Sequence, residues 1–243
     1  MSPSIDKIFQ SNTNLDISSS FIDTMFHELK KPLQPLIGFS EVLLEEISLD
    51  TSPDLYFAAK RILSSTELLE DFIRQLSTYF KTLNLEKKEE NHTDLNSLFS
   101  ELKEEFQPQL EKSQGELNIR PSLPKIRGDS SVYKILFQNL IKNSIQYSIA
   151  APKIVISGTQ TGGFLDLELL DNGMGFSEED LENLFKPFYR GHASKKTNGI
   201  GLGLPICQHI IKANELEIGV QSIPNQETKI LIKKLKIQKN ATL

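Results

Sequence analysis

The chain has 243 residues, of which 38% are hydrophobic, so it can form one or two domains with apolar cores. Its 27 Lys and Arg residues against 32 Asp and Glu residues give a formal net charge of −5, which argues against nucleic-acid binding. The lone Cys207 excludes an internal disulfide framework and is interpreted as a small core residue rather than a reactive thiol. No apolar run approaches membrane-spanning length and no signal peptide is visible, so the sequence predicts a soluble, cytoplasmic protein.

A heptad-like apolar pattern predicts an amphipathic helix over residues 17–49. The segment SLDTSPD then breaks the pattern, and Pro53 suits the first turn of a second helix that continues to residue 85. Two long helices joined by a short turn predict an antiparallel hairpin. The inward positions predicted for the second helix are Leu55, Ala58, Ile62, Leu69, Ile73, Leu76, Phe80 and Leu83.

Further apolar side chains would remain exposed on a single hairpin. They are Met25, Ile37, Phe39, Phe57, Leu68 and Phe72. A second copy of the hairpin would bury them in a four-helix bundle, so the sequence predicts a homodimer.

The polar run EKKEENHTD predicts a linker, and the periodicity changes after it. A helix is expected over residues 95–112, a strand at ELNIR, and a further helix with Asp129 as its N-cap. The runs KIVISGT and FLDLELL around TGG predict a β-hairpin, followed by helices near 178–185 and 203–212 and two final strands. This order predicts an α/β sandwich with helices over one face of a mixed sheet, and an α+β fold class for the chain.

Five short blocks could carry chemistry: FHELKKPLQPLIGF, FQNLIKNSIQYS, DNGMG, FKPFYR and GIGLGL. Taken alone, each is better explained as a surface histidine, a solvated helix face, a turn or a glycine-rich helix start. Together, in this order and spacing, they resemble the kinase core of two-component sensor histidine kinases over nearly the whole chain. The resemblance implies a stub at 1–16, too short for a sensory domain, a dimerisation and histidine-phosphotransfer hairpin at 17–87, a linker at 88–93 and a catalytic ATP-binding domain of the GHKL (Bergerat) type at 94–238.

The resemblance makes His27 the phospho-acceptor and Glu28 the acid that takes the ring proton during attack. A neutral imidazole is a good nucleophile near neutral pH. Without the resemblance, both residues would be read as ordinary helix-surface side chains. Pro32 and Pro35 remove the main-chain donors that would bond the carbonyls of Glu28 and Lys31, so the helix is expected to bend just after His27.

The resemblance also implies a magnesium-ATP site. Asn143 matches the family's magnesium-binding asparagine, and Asn139 lies on the same helical face, where related ATPases carry a water-activating glutamate. An amide is no base, so this position favours a kinase over an ATP-hydrolysing machine. Asp171 matches the carboxylate that accepts a hydrogen bond from the adenine amino group, and Tyr147 matches an aromatic beside the nucleotide, although Tyr147 could equally be a core tyrosine.

The glycines of DNGMG would let the backbone turn close to the base, and those of GIGLGL expose amides at a helix start that can cradle phosphate. Phe188 is expected to pack beneath an ATP lid, GHASKKTN, that could also be a plain solvated loop. Arg190, Lys195 and Lys196 are expected to reach the phosphates. The predicted nucleotide-binding residues are Asn139, Asn143, Tyr147, Asp171, Gly173, Gly175, Phe188, Arg190, Lys195, Lys196, Gly199, Gly201, Leu202, Gly203 and Leu204, with Asn139 and Asn143 also assigned to magnesium.

Three positions depart from the family pattern. Lys31 stands where the family often has a Thr or Asn that positions water for dephosphorylating the regulator, so phosphatase activity is expected to be weak or absent. Gln146 replaces a basic residue near the phosphates, which predicts weaker ATP binding unless Lys195 or Lys196 compensates. Pro205 follows the last glycine block in a helix's first turn, where proline is tolerated.

The predicted function is an ATP- and magnesium-dependent protein-histidine kinase that phosphorylates His27 and transfers the group to an aspartate of a response-regulator receiver domain. The alternative is a non-catalytic phosphotransfer or scaffold protein that retains the fold, which Gln146 favours and the intact Asn143 and Asp171 disfavour. Asn139 and the histidine hairpin disfavour another kind of GHKL ATPase. The stimulus, the cognate regulator and whether phosphorylation occurs within or between chains stay open.

Overall fold

The computed structural model describes residues 26–27, 29–30, 33–47, 52–83, 85, 91–120, 122–191 and 199–238. The chain forms two compact units, Met1–Ser77 and Thr78–Leu243. In the described segments, no helix is long and apolar enough to cross a membrane.

The first unit is a helical hairpin, as predicted. Phe26, His27, Leu29 and Lys30 are helical, and the main helices are α1 (Leu33–Glu46) and α2 (Pro53–Leu83), of which residues 78–83 belong to the second unit. Pro53 begins α2, where its missing N–H costs nothing, and Asp54 in the first turn complements the positive end of the helix dipole. Gln34 Nε2 donates to Glu70 Oε1 over 3.3 Å, so the start of α1 lies beside the later part of α2 and the two helices run antiparallel.

The buried stripe of this hairpin matches the predicted one only in part. Of the inward residues predicted for α2, Ile73 is buried, whereas Leu55, Ile62 and Leu69 are exposed. The buried positions Ala59 and Thr66 continue from Ile73 at a spacing of seven. On the first helix Phe26, Leu33 and Ser40 are buried at the same spacing. Both helices carry more than one apolar stripe, and the period of the pattern does not state which stripe meets the other helix of the same chain.

The buried hydroxyl groups of the hairpin are satisfied by their own helices. Ser40 Oγ donates to the Leu36 carbonyl over 2.7 Å, and Thr66 Oγ1 donates to the Ile62 carbonyl over 2.8 Å. Such back-bonding lets a small polar residue occupy a buried position without an unpaired donor. Ser40 therefore lies within the buried stripe although its side chain is polar.

The second unit is an α/β sandwich around a mixed sheet of five strands. These strands are β2 (Glu116–Ile119), β4 (Lys153–Thr161), β5 (Phe164–Asp171), β6 (Glu217–Ile223) and β7 (Glu227–Lys236), and the short strands β1 (His92–Asp94) and β3 (Lys125–Arg127) form a separate sheet. The order in the five-stranded sheet is β2-β4-β5-β7-β6, in which β2 and β4 are parallel and the other neighbours are antiparallel. The helices of this unit are α3 (Leu95–Lys112), α4 (Ser130–Gln146), α5 (Glu178–Asn183) and α6 (Gly203–Ala213).

Local signals in the sequence account for most of these boundaries. Asp129 caps α4, as predicted, with Oδ1 accepting a 2.9 Å hydrogen bond from the Ser131 amide. Gly162 and Gly163, both at positive φ, form the predicted turn between β4 and β5. The pair β1 (His92–Asp94) and β3 (Lys125–Arg127) forms a small antiparallel sheet that the sequence analysis had not predicted, because three-residue strands carry little periodicity.

The core lies between the helices and one face of the sheet. Along β5 the buried residues Leu165, Leu167 and Leu169 alternate with half-buried ones, so their side chains share one face. The rings of Phe99 on α3 and Phe137 on α4 pack with their centroids 4.7 Å apart. Asp171 follows on the same buried face as the last residue of β5, which places a carboxyl group at the rim of an otherwise apolar core.

Candidate functional site

The candidate site is built around Asp171. Its side chain is only 6% exposed, yet both carboxyl oxygens are satisfied. Oδ2 accepts a 2.6 Å hydrogen bond from Ser144 Oγ on α4, and Oδ1 accepts a 2.9 Å hydrogen bond from the Gly173 amide. Burial raises the pKa of Asp171, whereas the hydrogen bonds from Ser144 and the Gly173 amide act to lower it.

The loop DNGMG, which begins with Asp171, needs its two glycines. A Cβ on Gly173 would lie 2.7 Å from Asp171 Oδ1, and Gly175 has φ +66° with the Ile223 carbonyl oxygen 2.6 Å from its Cβ position. The Met174 amide donates to the Tyr147 carbonyl over 2.9 Å. The loop is therefore fastened to the end of α4 on one side and approaches the β6–β7 turn on the other.

Asn139 and Asn143 share a face of α4 that borders the start of α6. Asn139 Nδ2 donates to the Ile135 carbonyl over 2.8 Å, so the amide group is fixed by its own helix. A Cβ on Gly203 would lie 3.3 Å from Asn139 Oδ1 and 3.5 Å from Asn143 Oδ1. Glycine at position 203 thus lets the first turn of α6 approach both amides.

The segment Gly199–Leu204 also approaches the end of α4. A Cβ on Gly199 would lie 2.5 Å from the Tyr147 hydroxyl and 3.4 Å from Gln146 Nε2. The first amides of α6 lack partners within that helix, and such a helix start favours anionic groups. Leu202 is fully buried and anchors the segment, and Pro205 lies in the first turn of α6 as expected.

FKPFYR packs against the same glycine segment. The Phe188 amide donates to the Gly201 carbonyl over 3.0 Å, and Gly201, at φ +77°, approaches the Tyr189 carbonyl so closely that a Cβ would lie 2.6 Å from it. Phe188 itself has φ +65° and is 37% exposed. Residues 192–198, with Lys195 and Lys196, lie outside the described residues, so the lid and the packing of Phe188 beneath it stay predictions, as does the reach of half-buried Arg190 to phosphate.

Two side chains outside the predicted site residues support the site. Ser144 holds the Asp171 carboxyl, and Asp180 on α5, 4% exposed, accepts a 2.8 Å hydrogen bond from the Tyr189 hydroxyl. The sequence does contain a signal for Ser144, because this hydroxyl residue lies on the same apolar face of α4 as Phe137 and Ile141. Asp180 resembles an ordinary capping-box acid, and it does form that box with Ser177.

His27 lies in the other unit, where it is helical and exposed next to buried Phe26. This agrees with an imidazole at the flank of the hairpin. Glu28, Lys31 and Pro32 lie outside the described residues, so the predicted proton acceptor and the bend after His27 are not tested.

Two family models match the chain. Residues 18–91 match the His Kinase A (phospho-acceptor) domain, and residues 128–239 match the domain of histidine kinase-, DNA gyrase B-, and HSP90-like ATPases. These two domains, in this order, make up the kinase core of two-component sensor histidine kinases, and the chain belongs to that family.

Curated relatives agree with this membership. The chain is 28% identical over 208 residues to the sensor-like histidine kinase SenX3 of Mycobacterium tuberculosis, covering 84% of this chain and 50% of SenX3. It is 22% identical over 222 residues to the sensor histidine kinase AtsR of Burkholderia thailandensis, covering 88% of this chain and 36% of AtsR. The chain thus spans about half or less of the length of these relatives.

Solved structures share the fold. Full-length ShkA, solved in complex with AMPPNP, matches with a TM-score of 0.71 at 19% identity over 93% of this chain and 48% of its own. The catalytic domain of the histidine kinase ThkA matches with a TM-score of 0.53 at 24% identity over 63% of this chain and 97% of its own. The predicted α+β fold, a helical hairpin followed by a GHKL-type sandwich, is confirmed.

Proposed function

We propose that this protein is an ATP-dependent protein-histidine kinase of a two-component system, which phosphorylates His27 and passes the phosphoryl group to an aspartate of a response-regulator receiver domain. The proposal rests on one observation: Asp171, Asn143 and the glycines at 199 and 203 all lie around one end of α4. The Asp171 carboxyl group can recognise a base, and the Asn143 amide can bind a metal ion held by a phosphate chain. The backbone at the two glycines can bind phosphate oxygens. The two family models place a phospho-acceptor domain on the same chain.

In this proposal the second unit binds ATP with its adenine at Asp171. The ionised carboxylate accepts a hydrogen bond from the exocyclic amino group, and the Tyr147 ring lies beside the nucleotide. The phosphates extend toward the amides of Gly199–Leu204, which the helix start makes suitable for anions. AMPPNP in the ShkA structure supports an ATP-type ligand for the shared fold.

The donor set around Gly203 fits a magnesium ion that is shared with the nucleotide. Asn139 and Asn143 offer neutral amide oxygens beside this position, which are ligands that Mg²⁺ accepts. The part of the chain that the structure describes contains no cluster of three His, Cys, Asp or Glu side chains that could hold a metal by itself. The ion would therefore take most of its ligands from phosphate and water, and it would supply charge neutralisation at the phosphates.

In the chemical step, His27 is proposed to act as the nucleophile. A ring nitrogen of neutral His27 forms the bond to the γ-phosphorus as the bond from phosphorus to the β–γ bridging oxygen breaks, and ADP leaves. Glu28 accepts the proton from the other ring nitrogen, which stabilises the positive charge that develops on the imidazole. Exposure of His27 suits both this attack and the later transfer to a receiver aspartate.

The hairpin is proposed to dimerise, and the protein to act in the cytoplasm. Outside its buried stripe the hairpin exposes large apolar side chains, which a second copy would cover in a four-helix bundle. In the first unit, those at least 45% exposed are Leu29, Leu36, Phe39, Val42, Leu43, Leu55, Phe57, Ile62, Leu68 and Leu69.

The direct test is labelling with ATP that carries a radioactive γ-phosphate. The wild-type chain should acquire an acid-labile label, and His27→Gln should not, while its ATP affinity stays unchanged. His92→Gln is the matched control, because His92 is also exposed but lies in the small sheet of the other unit. Label that survives in His27→Gln would contradict the assignment.

A non-catalytic scaffold remains the second candidate, and Gln146 is the observation that favours it. Gln146 Nε2 lies beside Gly199, so a neutral amide stands where a cation would assist the phosphates. Saturable displacement of a fluorescent ATP analogue by ATP would favour the kinase. Absence of binding at millimolar nucleotide would favour the scaffold.

A further inference from the structure

We propose that Ser144 is a positioning residue that sets the preference for adenine over guanine nucleotides, by holding the Asp171 carboxylate in place as a hydrogen-bond acceptor. The inference rests on the proposed function, because it assigns the base to Asp171. It concerns this chain's own serine, which touches the carboxylate and not the base.

The geometry fixes Asp171 at two points. Ser144 Oγ donates to Oδ2 over 2.6 Å from α4, and the Gly173 amide donates to Oδ1 over 2.9 Å from the following loop. Ser144 is 3% exposed and Asp171 6% exposed, so water competes poorly for either group. One donor on each oxygen leaves lone pairs on both for a ligand, and two anchors from different elements hold the plane of the carboxyl group.

The Ser144 hydroxyl also helps to keep the Asp171 carboxyl group ionised. Burial raises the pKa of Asp171, and among the described residues the counteracting groups are the Ser144 hydroxyl and the Gly173 amide, with Ser144 the larger influence. Among the described residues no cation acts on Asp171, and a buried carboxylate in such surroundings depends on hydrogen-bond donors to stay ionised. Loss of the hydroxyl would therefore raise the pKa of Asp171 further.

The charge of Asp171 decides which base is accepted. Adenine presents an amino group at its 6-position and guanine a carbonyl oxygen. An ionised carboxylate only accepts hydrogen bonds, so it pairs with the amino group and repels the carbonyl oxygen. A protonated carboxyl group has an O–H that can donate to the guanine carbonyl, so a higher pKa at Asp171 weakens the discrimination.

The sign of the pH dependence of ATP affinity follows from the ionisation of Asp171. ATP needs the ionised carboxylate, so ATP affinity is fully present above the pKa of Asp171 in the folded protein and is lost as the pH falls through it. Ser144→Ala raises that pKa, and the acid limb of ATP affinity should therefore move to higher pH. GTP affinity should show no such loss on acidification.

The experiment compares the affinities of the full chain for ATP and for GTP by calorimetry, from about pH 5.5 to about pH 8. Ser144→Ala should lose about tenfold or more in ATP affinity, as expected for a hydrogen bond to a charged group. The ratio of ATP affinity to GTP affinity should fall, and the pH range over which ATP affinity is lost should move to higher pH. Ser144→Cys keeps a weak donor at similar size and should lie between the wild type and Ser144→Ala.

Ser148→Ala is the matched control. The Ser148 hydroxyl lies one turn further along and donates to the Ser144 carbonyl over 2.7 Å rather than to Asp171. Its removal should leave the ATP-to-GTP preference and the acid limb unchanged. Thermal unfolding of each variant separates a change in the site from a loss of fold.

The proposal is overturned if Ser144→Ala keeps the wild-type preference and acid limb, or if the wild-type chain binds ATP and GTP equally. It is also overturned if Ser148→Ala changes the preference as much as Ser144→Ala does. A wild-type chain that binds neither nucleotide would contradict the proposed function itself, and this outcome is distinct from the others.

Discussion

The hydroxyl of Tyr189 donates a 2.8 Å hydrogen bond to Oδ1 of Asp180, a carboxyl group that is only 4% exposed. Asp180 Oδ2 also accepts a hydrogen bond from the amide of Ser177, the residue whose side chain caps α5. The hydrogen bond from Tyr189 therefore links the backbone next to Phe188 and Gly201 to the short helix α5.

We predict that Tyr189→Phe destabilises the second unit. The substitution removes one donor from a buried carboxyl group, which costs about 1–3 kcal/mol. Urea unfolding followed by fluorescence or circular dichroism measures the change. Tyr56→Phe is the control, because Tyr56 lies on α2 in the other unit, and it should change the free energy of unfolding by less than about 0.5 kcal/mol. Equal stability of Tyr189→Phe and wild type would contradict the prediction.

Gly199→Ala should weaken ATP binding. The added Cβ would lie 2.5 Å from the Tyr147 hydroxyl, so either the glycine segment or the tyrosine must move. Overpacking of this kind costs about 1–3 kcal/mol, which corresponds to a loss of about 5-fold to about 150-fold in affinity. Calorimetric titration with ATP gives the measurement.

Two further variants test the cause of that loss. Tyr147→Phe removes the clashing hydroxyl, so the double variant Gly199→Ala/Tyr147→Phe should recover part of the affinity. Gly219→Ala is the matched control in β6, where the nearest atom to the added Cβ is 3.9 Å away. If the double variant bound no better than Gly199→Ala alone, the clash with Tyr147 would not be the reason.

Gln146→Lys should strengthen ATP binding. The new ammonium group would lie near Gly199, where the phosphates are proposed to bind, and an exposed charge-assisted contact of this kind is worth about 1 kcal/mol, or about fivefold. The gain should shrink as the salt concentration rises. Gln138→Lys adds the same charge elsewhere on α4, beside Glu105, and should have little effect. Similar gains in both variants would show a general effect of charge rather than a contact at the site.

Lys31→Thr should add phosphatase activity. A hydroxyl side chain four residues after His27 can position water for attack on the phosphorylated regulator, whereas an ammonium group cannot easily do so. The measurement is the rate at which the phosphorylated cognate regulator loses phosphate in the presence of ADP. Lys30→Thr, one position earlier, should change nothing, and fast dephosphorylation by the wild-type chain would contradict the interpretation of Lys31.

Phe39→Glu should shift the protein from dimer to monomer. Phe39 is 70% exposed on α1, and a charge at this position would be costly to bury against a second hairpin. Light scattering coupled to size exclusion measures the mass. Phe164→Glu is the matched control, since Phe164 is 41% exposed but lies in the second unit. A wild-type chain that is monomeric at micromolar concentration would contradict the dimer.

Features with local signals could be predicted from the sequence. The cap at Asp129, the turn at Gly162 and Gly163, and the start of α2 at Pro53 each depend on a few neighbouring residues. The order of strands and helices then restricts the sheet to a mixed one with helices on one face.

Features that depend on distant residues could not be predicted in the same way. The inward stripe through Ala59 and Thr66 depends on which face of α2 meets α1, and the apolar pattern allows several. The bond from Ser144 to Asp171 joins residues 27 apart in sequence, so the role of Ser144 becomes visible only when α4 lies over the end of β5. The same holds for β1 and β3, whose pairing brings together His92 and Arg127.

Phosphorylation of His27 can be detected by mass spectrometry of the full chain after incubation with magnesium and ATP, under conditions that preserve phosphoramidates. We expect phosphate on the imidazole in the peptide that contains His27, and none there when a non-hydrolysable ATP analogue is used. His27 is not the phospho-acceptor if the chain binds ATP but carries no phosphate at His27, or carries it on another residue.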